Sequence, residues 1–120
     1  MGELSEHRKA ALKARLIVAE AKVQRAEAGL DPDGAVILLE NGDMEFIEPP
    51  DSDKTLTLQQ LQHTVGGYIE ILQVFDSRDW LLIVNENPEG KSSVNQMATL
   101  ACGFATIWGN ALICPTDLVE

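Results

Sequence analysis

Positive charge is scarce in most of this chain. Six of its nine Lys and Arg residues (Arg8, Lys9, Lys13, Arg15, Lys22 and Arg25) fall within residues 1–29, beside four acidic ones, which leaves three cations against 15 carboxylates in residues 30–120. The two parts carry +2 and −12, for a net charge of −10. A general nucleic-acid binder needs clustered Lys and Arg to meet phosphates, so that class is excluded. No apolar run is long enough to span a membrane, and the Met1 end has no apolar core of a signal peptide. The expected location is therefore the cytoplasm. At 120 residues the chain fits one fold and leaves no room for a multidomain enzyme.

Catalytic and metal-binding residues are also few. Cys102 and Cys114 lie twelve residues apart with no His or Cys at a metal-ligand spacing, so they read as reduced, buried thiols. The two imidazoles, His7 and His63, have no partner in sequence that would make either a general base, and His63, among Gln59, Gln60 and Gln62, reads as a solvated helix residue. Gly90-Lys91-Ser92 resembles the end of a phosphate-binding loop but lacks the preceding glycine at the required spacing. No cofactor, no bound metal and no enzymatic activity are expected.

What is present begins with a helix. From Glu3 to Ala28 there is neither Pro nor Gly and much Ala, Glu, Lys and Arg, with Ser5 placed to cap the start and Gly29 and Pro32 to end it. Leu12, Leu16, Ala19, Val23 and Ala26 recur at alternating steps of four and three, which keeps them on one side of the helix. This seam fits either the protein's own sheet or a second subunit. The basic character of the segment beside an acidic domain favours self-association, most simply a dimer. Residues 1–30 are accordingly read as a helical arm and 31–120 as an acidic domain.

Beyond the arm, Ala35 to Leu39 and Met44 to Ile47 flank Asn41-Gly42, which predicts a hairpin with a two-residue turn in which both central residues have positive φ. Thr57 caps a short helix through Leu58, Leu61 and Val65, stopped by Gly66 and Gly67. Tyr68 to Phe75 and Trp80 to Val84 read as a second hairpin, Val94 to Ala105 as a helix with an indefinite end at Gly103, and Thr106 to Cys114 as a strand broken at Gly109 and Asn110. The sum is an α+β fold: a long N-terminal helix, then a small, mostly antiparallel sheet with two short helices.

Eight carboxylates (Asp31, Asp33, Glu40, Asp43, Glu45, Glu48, Asp51 and Asp53) occur between residues 31 and 53 with no cation among them. Such a stretch reads first as a solvated surface, second as a face for a basic partner, including imitation of nucleic-acid phosphates, and third as a divalent-metal site. Asp31, Asp33, Val36 and Glu40 fall at EF-hand spacings, but Gly29 stands at the first ligand position and a hairpin, not a helix, follows.

From Leu58 to Cys114 the chain carries Leu61, Val65-Gly66-Gly67-Tyr68-Ile69-Glu70, Leu82-Ile83-Val84-Asn85-Glu86, Gly90-Lys91, Asn95, Ala98-Thr99 and Gly109-Asn110-Ala111-Leu112-Ile113. This order resembles an uncharacterised domain family common in bacteriophages, plasmids and other mobile elements of bacteria. The resemblance implies a genetic context and a bacterial cytoplasm; the family has no established activity to transfer. Between Lys91 and Ala105 this chain is longer and more helical than the family's short loop.

The expectation for function is a non-enzymatic binding protein that inhibits a host defence or regulatory protein, with Asp31, Asp33, Glu40, Asp43, Glu45 and Glu48 meeting the partner. The alternative is a sponge for a small nucleotide-derived signal. There Tyr68, Trp80 and Trp108 would stack a base, while Asn85, Asn110 and Lys91 supply polar contacts beside Glu86. Turn and strand-end roles come before ligand contact for Asn85 and Asn110, and the two are balanced for Glu86.

Overall fold

The computed structural model describes residues 5–50, 54–88, 90 and 92–119. Helix α1 runs Glu6–Glu27, with the Arg8 N–H donating to Ser5 Oγ at its start and Gly29 at φ +79° just beyond its end. Both boundaries are local, set by a cap and a left-handed glycine. Strands β1 (Ala35–Leu38) and β2 (Met44–Ile47) form the first hairpin, and β3 (Ile69–Gln73) and β4 (Trp80–Asn85) the second. Between them lies α2 (Leu58–Val65), where Thr57 and Gln60 cap each other's backbone and Gly66 at φ +81° ends the helix. Helix α3 (Gln96–Cys102) and β5 (Ala111–Pro115) complete the chain before a short 3-10 turn at Thr116–Leu118.

The five strands form one sheet in the order β2-β1-β5-β4-β3, with every neighbouring pair antiparallel. The central position of β5 follows from its composition. A strand covered on both faces must be apolar throughout, and Ala111 to Cys114 are all buried. Alternation divides the core. Val36, Leu38, Leu82, Val84, Ala111 and Ile113 point to α1 and α3, where Ala14, Ala21, Ala98 and Ala101 complete a layer. Ala35, Ile83, Leu112 and Cys114 point the other way, to Leu61 and Val65 of α2. The α+β fold is as the sequence predicts.

Two local expectations are corrected. The first hairpin does not close through a two-residue turn. Leu39 and Asp43 pair, with the Leu39 N–H donating to the Asp43 carbonyl, and Glu40, Asn41 and Gly42 form a three-residue loop in which only Gly42 has positive φ (+99°). A turn over Leu39 to Gly42 closed by a left-handed glycine is the three-residue alternative that the same Asn-Gly pair allows, and the Glu40 N–H, outside the hairpin ladder, donates to Asn110 Oδ1 at 2.9 Å. The helix expected over Val94 to Ala105 is shorter at both ends: Val94 bridges to Trp108, Asn95 is the cap, and Gly103 at φ +81° ends it. Helix α1 also contributes Ala14 and Ala21 to the core and packs on α3 and β2.

The C-terminal end of α1 is fastened by Arg25, only 1% exposed. Its Nε donates to the Asp31 carbonyl, Nη1 to the Ala35 carbonyl at 2.8 Å, and Nη2 to Glu48 Oε2 at 2.6 Å, while the guanidinium lies 5.9 Å from the Phe46 ring centre. Gly34 is required here, because a Cβ at that position would overlap the guanidinium.

Candidate functional site: an acidic groove at one end of the sheet

The β4–β5 register pairs Trp80 with Pro115, which brings the residues just outside both strands, Asp79 and Asp117, to the same end of the sheet. The start of β1 arrives there too, carrying Asp31 and Asp33 on the preceding turn. The result is a groove of about 780 Å³ lined by these four carboxylates together with Lys22, Trp80, Thr116 and Leu118. Inside it Lys22 Nζ sits 5.6 Å from the centre of the Trp80 ring and 3.5 Å from Asp33 Oδ1. A cation held between an aromatic face and a carboxylate is the chemistry this groove can offer.

The six carboxylates expected to meet a partner are therefore distributed. Asp31 and Asp33 line the groove. Glu48 belongs to the same end of the sheet but is engaged by Arg25. Glu45 is exposed on the edge strand β2, and Glu40 and Asp43 belong to the hairpin tip at the opposite end. Glu40 is a structural brace, accepting from the Ser93 N–H at 3.0 Å. Asp51 and Asp53 lie outside the described residues. Asp79 and Asp117 were not singled out in the sequence; their only local signal is that each adjoins a strand end.

The residues of the alternative nucleotide site do not converge on one pocket. Trp80 and Asn85 stand at opposite ends of β4, separated by about 16 Å of strand. Asn85 is consumed by the backbone: its Nδ2 donates to the Val65 carbonyl and its Oδ1 accepts from the Asn87 N–H. Asn110 Oδ1 accepts from Glu40. Exposed Tyr68 neighbours Glu86, whose N–H donates to the Tyr68 carbonyl. Trp108 bridges to Val94, and Lys91 lies outside the described residues. Both asparagines serve turns because a side-chain amide can satisfy the backbone groups that a strand end exposes.

Among the described residues no three His, Cys, Asp or Glu side chains gather closely enough to hold a metal ion. His63 is exposed on α2, and His7 Nε2 lies 3.5 Å from Asp76 at the surface. Cys102 and Cys114 are free and buried. Burial, helped by the charge of Asp117, pushes the Cys114 thiol from 9.0 up to about 12. A thiol held protonated is a poor nucleophile, so Cys114 in the folded protein should resist alkylation at pH 8 and react once the chain is unfolded by urea. The unfolded thiol ionises first as pH rises, so its contribution is a loss of stability between pH 9 and about 12. Denaturant midpoints measured across that window check the sign.

No described helix is long and apolar enough to cross a membrane. No curated protein and no solved structure matches the chain. A family model does match, over residues 34–118, a span that holds all five strands together with α2 and α3 and leaves α1 outside. The chain therefore belongs to the family described as Domain of unknown function (DUF3846).

Proposed function

We propose that this protein is a non-enzymatic binding protein of phage or mobile-element type, which acts in the bacterial cytoplasm by occupying a basic segment of a host defence or regulatory protein. The observation that carries this reading is the groove of Asp31, Asp33, Asp79 and Asp117 around Trp80, in which the chain's own Lys22 occupies the place of a cationic side chain. Rim charges of this kind steer a basic partner and set its register more than they add affinity. The genetic context rests on the motifs between Leu58 and Cys114, and inhibition by occupancy is the action that a cation-accepting surface groove supports.

Calorimetric titration with a short Arg- and Lys-rich peptide tests the reading. Binding is expected to weaken with salt and to fall about tenfold in Asp79→Asn combined with Asp117→Asn, the loss due to a few exposed charge contacts. Lys22→Ala should tighten it, because the resident cation no longer competes for Trp80. A peptide that produces no heat, or a Lys22→Ala variant that binds more weakly, would sink the proposal.

A further inference from the structure

We propose that α1 pairs with α1 of a second copy of this chain, side by side and parallel. The helix buries Ala11, Ala14, Ala21 and Arg25 against its own domain, and the seam of Leu12, Leu16, Ala19, Val23 and Ala26 faces away from them. Leu16 is 67% exposed, Val23 50% and Leu12 45%, all on one helix. Three large apolar side chains in line, at heptad spacing, form the contact stripe of a two-helix pair. A free helix of this length would be marginal in water, but α1 is already formed by its packing on the domain, so pairing carries no cost of ordering the helix.

Charge chooses both the occupant and its direction. With Leu16 and Val23 at the a positions and Leu12, Ala19 and Ala26 at d, one flank of the seam carries Arg8, Arg15 and Lys22 at g and the other carries Lys13, Glu20 and Glu27 at e. An antiparallel pair would set the cationic flank against its own copy. A parallel pair sets it against the partner's other flank, where Arg15 meets Glu20 five residues further along, twice by symmetry, while Lys22 stays turned to Asp33 and Trp80 of its own domain; the adverse meeting of Arg8 with Lys13 falls at the first turns. The all-cationic flank of Arg8, Arg15 and Lys22 repels its own copy and meets carboxylates only on the other flank, which fits a second copy of the same helix laid parallel.

The full-length chain is expected to sediment as a dimer. Leu16→Glu with Val23→Glu should leave the circular dichroism spectrum and a cooperative melt in place, lower the midpoint only by the lost association, and weaken the dimer at least about a hundredfold, through charges buried in an apolar contact. Glu20→Arg should weaken it about fivefold, and adding Arg15→Glu should restore it. Direction is read by Ala26→Cys under mild oxidation. A parallel seam brings the two positions within the about 7 Å that a disulfide requires, whereas an antiparallel one faces position 26 with position 12 and holds the two sulfurs roughly 20 Å apart. The native thiols are buried and do not compete. A monomeric wild-type chain overturns the proposal, as does a dimer indifferent to the Glu pair, a Glu pair that unfolds the protein, a charge swap without recovery, or an Ala26→Cys dimer that does not cross-link.

Discussion

Arg25→Met is expected to lower unfolding stability by about 3–4 kcal/mol, a large part of what holds a domain of this size folded. The substitution keeps the aliphatic stem and removes all the donors. Two backbone carbonyls, of Asp31 and Ala35, then lose the N–H groups they accept from. The buried Ala35 acceptor left without a partner costs on the order of 1–3 kcal/mol, and the part-buried Asp31 carbonyl, which water can reach, costs less. Glu48 contributes less, since its side chain is 51% exposed and can be rehydrated. Glu48→Gln should therefore cost only about 1 kcal/mol. Arg25→Lys should fall between the two, because a single ammonium cannot reach three acceptors that diverge as a guanidinium fork does. Urea unfolding checks the order; the midpoint should move while the slope stays constant. A loss below about 1 kcal/mol for Arg25→Met would show that the loop from Asp31 to Gly34 relaxes to hydrate its own carbonyls.

The second large effect is expected at Asn95, which is fully buried and has every polar group in use. Its Nδ2 donates to the carbonyls of Leu38 at 2.7 Å and Gly109 at 2.8 Å, and its Oδ1 accepts from the Ala98 N–H at 3.0 Å to cap α3. One amide thus ties the end of β1, the approach to β5 and the start of α3. Asn95→Ala leaves two acceptors and one donor unpaired and should cost about 3–5 kcal/mol. Asn95→Asp is nearly isosteric and keeps the cap, but it turns an oxygen toward two carbonyls. Those oxygens and the burial disfavour the ionised form, so the new carboxyl's folded pKa rises above its unfolded value. Stability of that variant should then be greatest at acidic pH and fall as pH rises past about 4, where the unfolded chain ionises first. Thermal melts of the wild type and both variants at pH 4 and pH 7 separate the cases: only Asn95→Asp should lose further ground at the higher pH.

The matched span from residue 34 to 118 contains Asn95 and all its partners, while Arg25 lies outside it and fastens α1 onto Ala35 and Glu48 within it. Arg25→Met is accordingly expected to loosen the attachment of α1, and Asn95→Ala to loosen the sheet itself. Hydrogen exchange resolved along the chain distinguishes a helix that opens alone from a fold that opens together.

What the sequence determined by itself was everything set by neighbours a few residues apart. Ser5 and Gly29 bound α1, and Thr57 and Gly66 bound α2, because caps and left-handed glycines act over one or two turns of chain. Tertiary structure decided what depends on a partner far along the chain. The Glu40 N–H, left outside the ladder by the three-residue loop at Asn41-Gly42, finds its acceptor seventy positions away in Asn110. Arg25 looks in sequence like one more surface cation on a basic helix, and is buried among the described residues because three acceptors, from the loop after α1, from β1 and from Glu48 just past β2, close around it. Asp79 and Asp117 share a groove with Asp31 and Asp33 because the strand register makes Trp80 the neighbour of Pro115. Hydrophobic spacing left two apolar sides available on α1. Packing chose the alanines, which allow close approach to α3, and that choice left Leu12, Leu16 and Val23 facing outward.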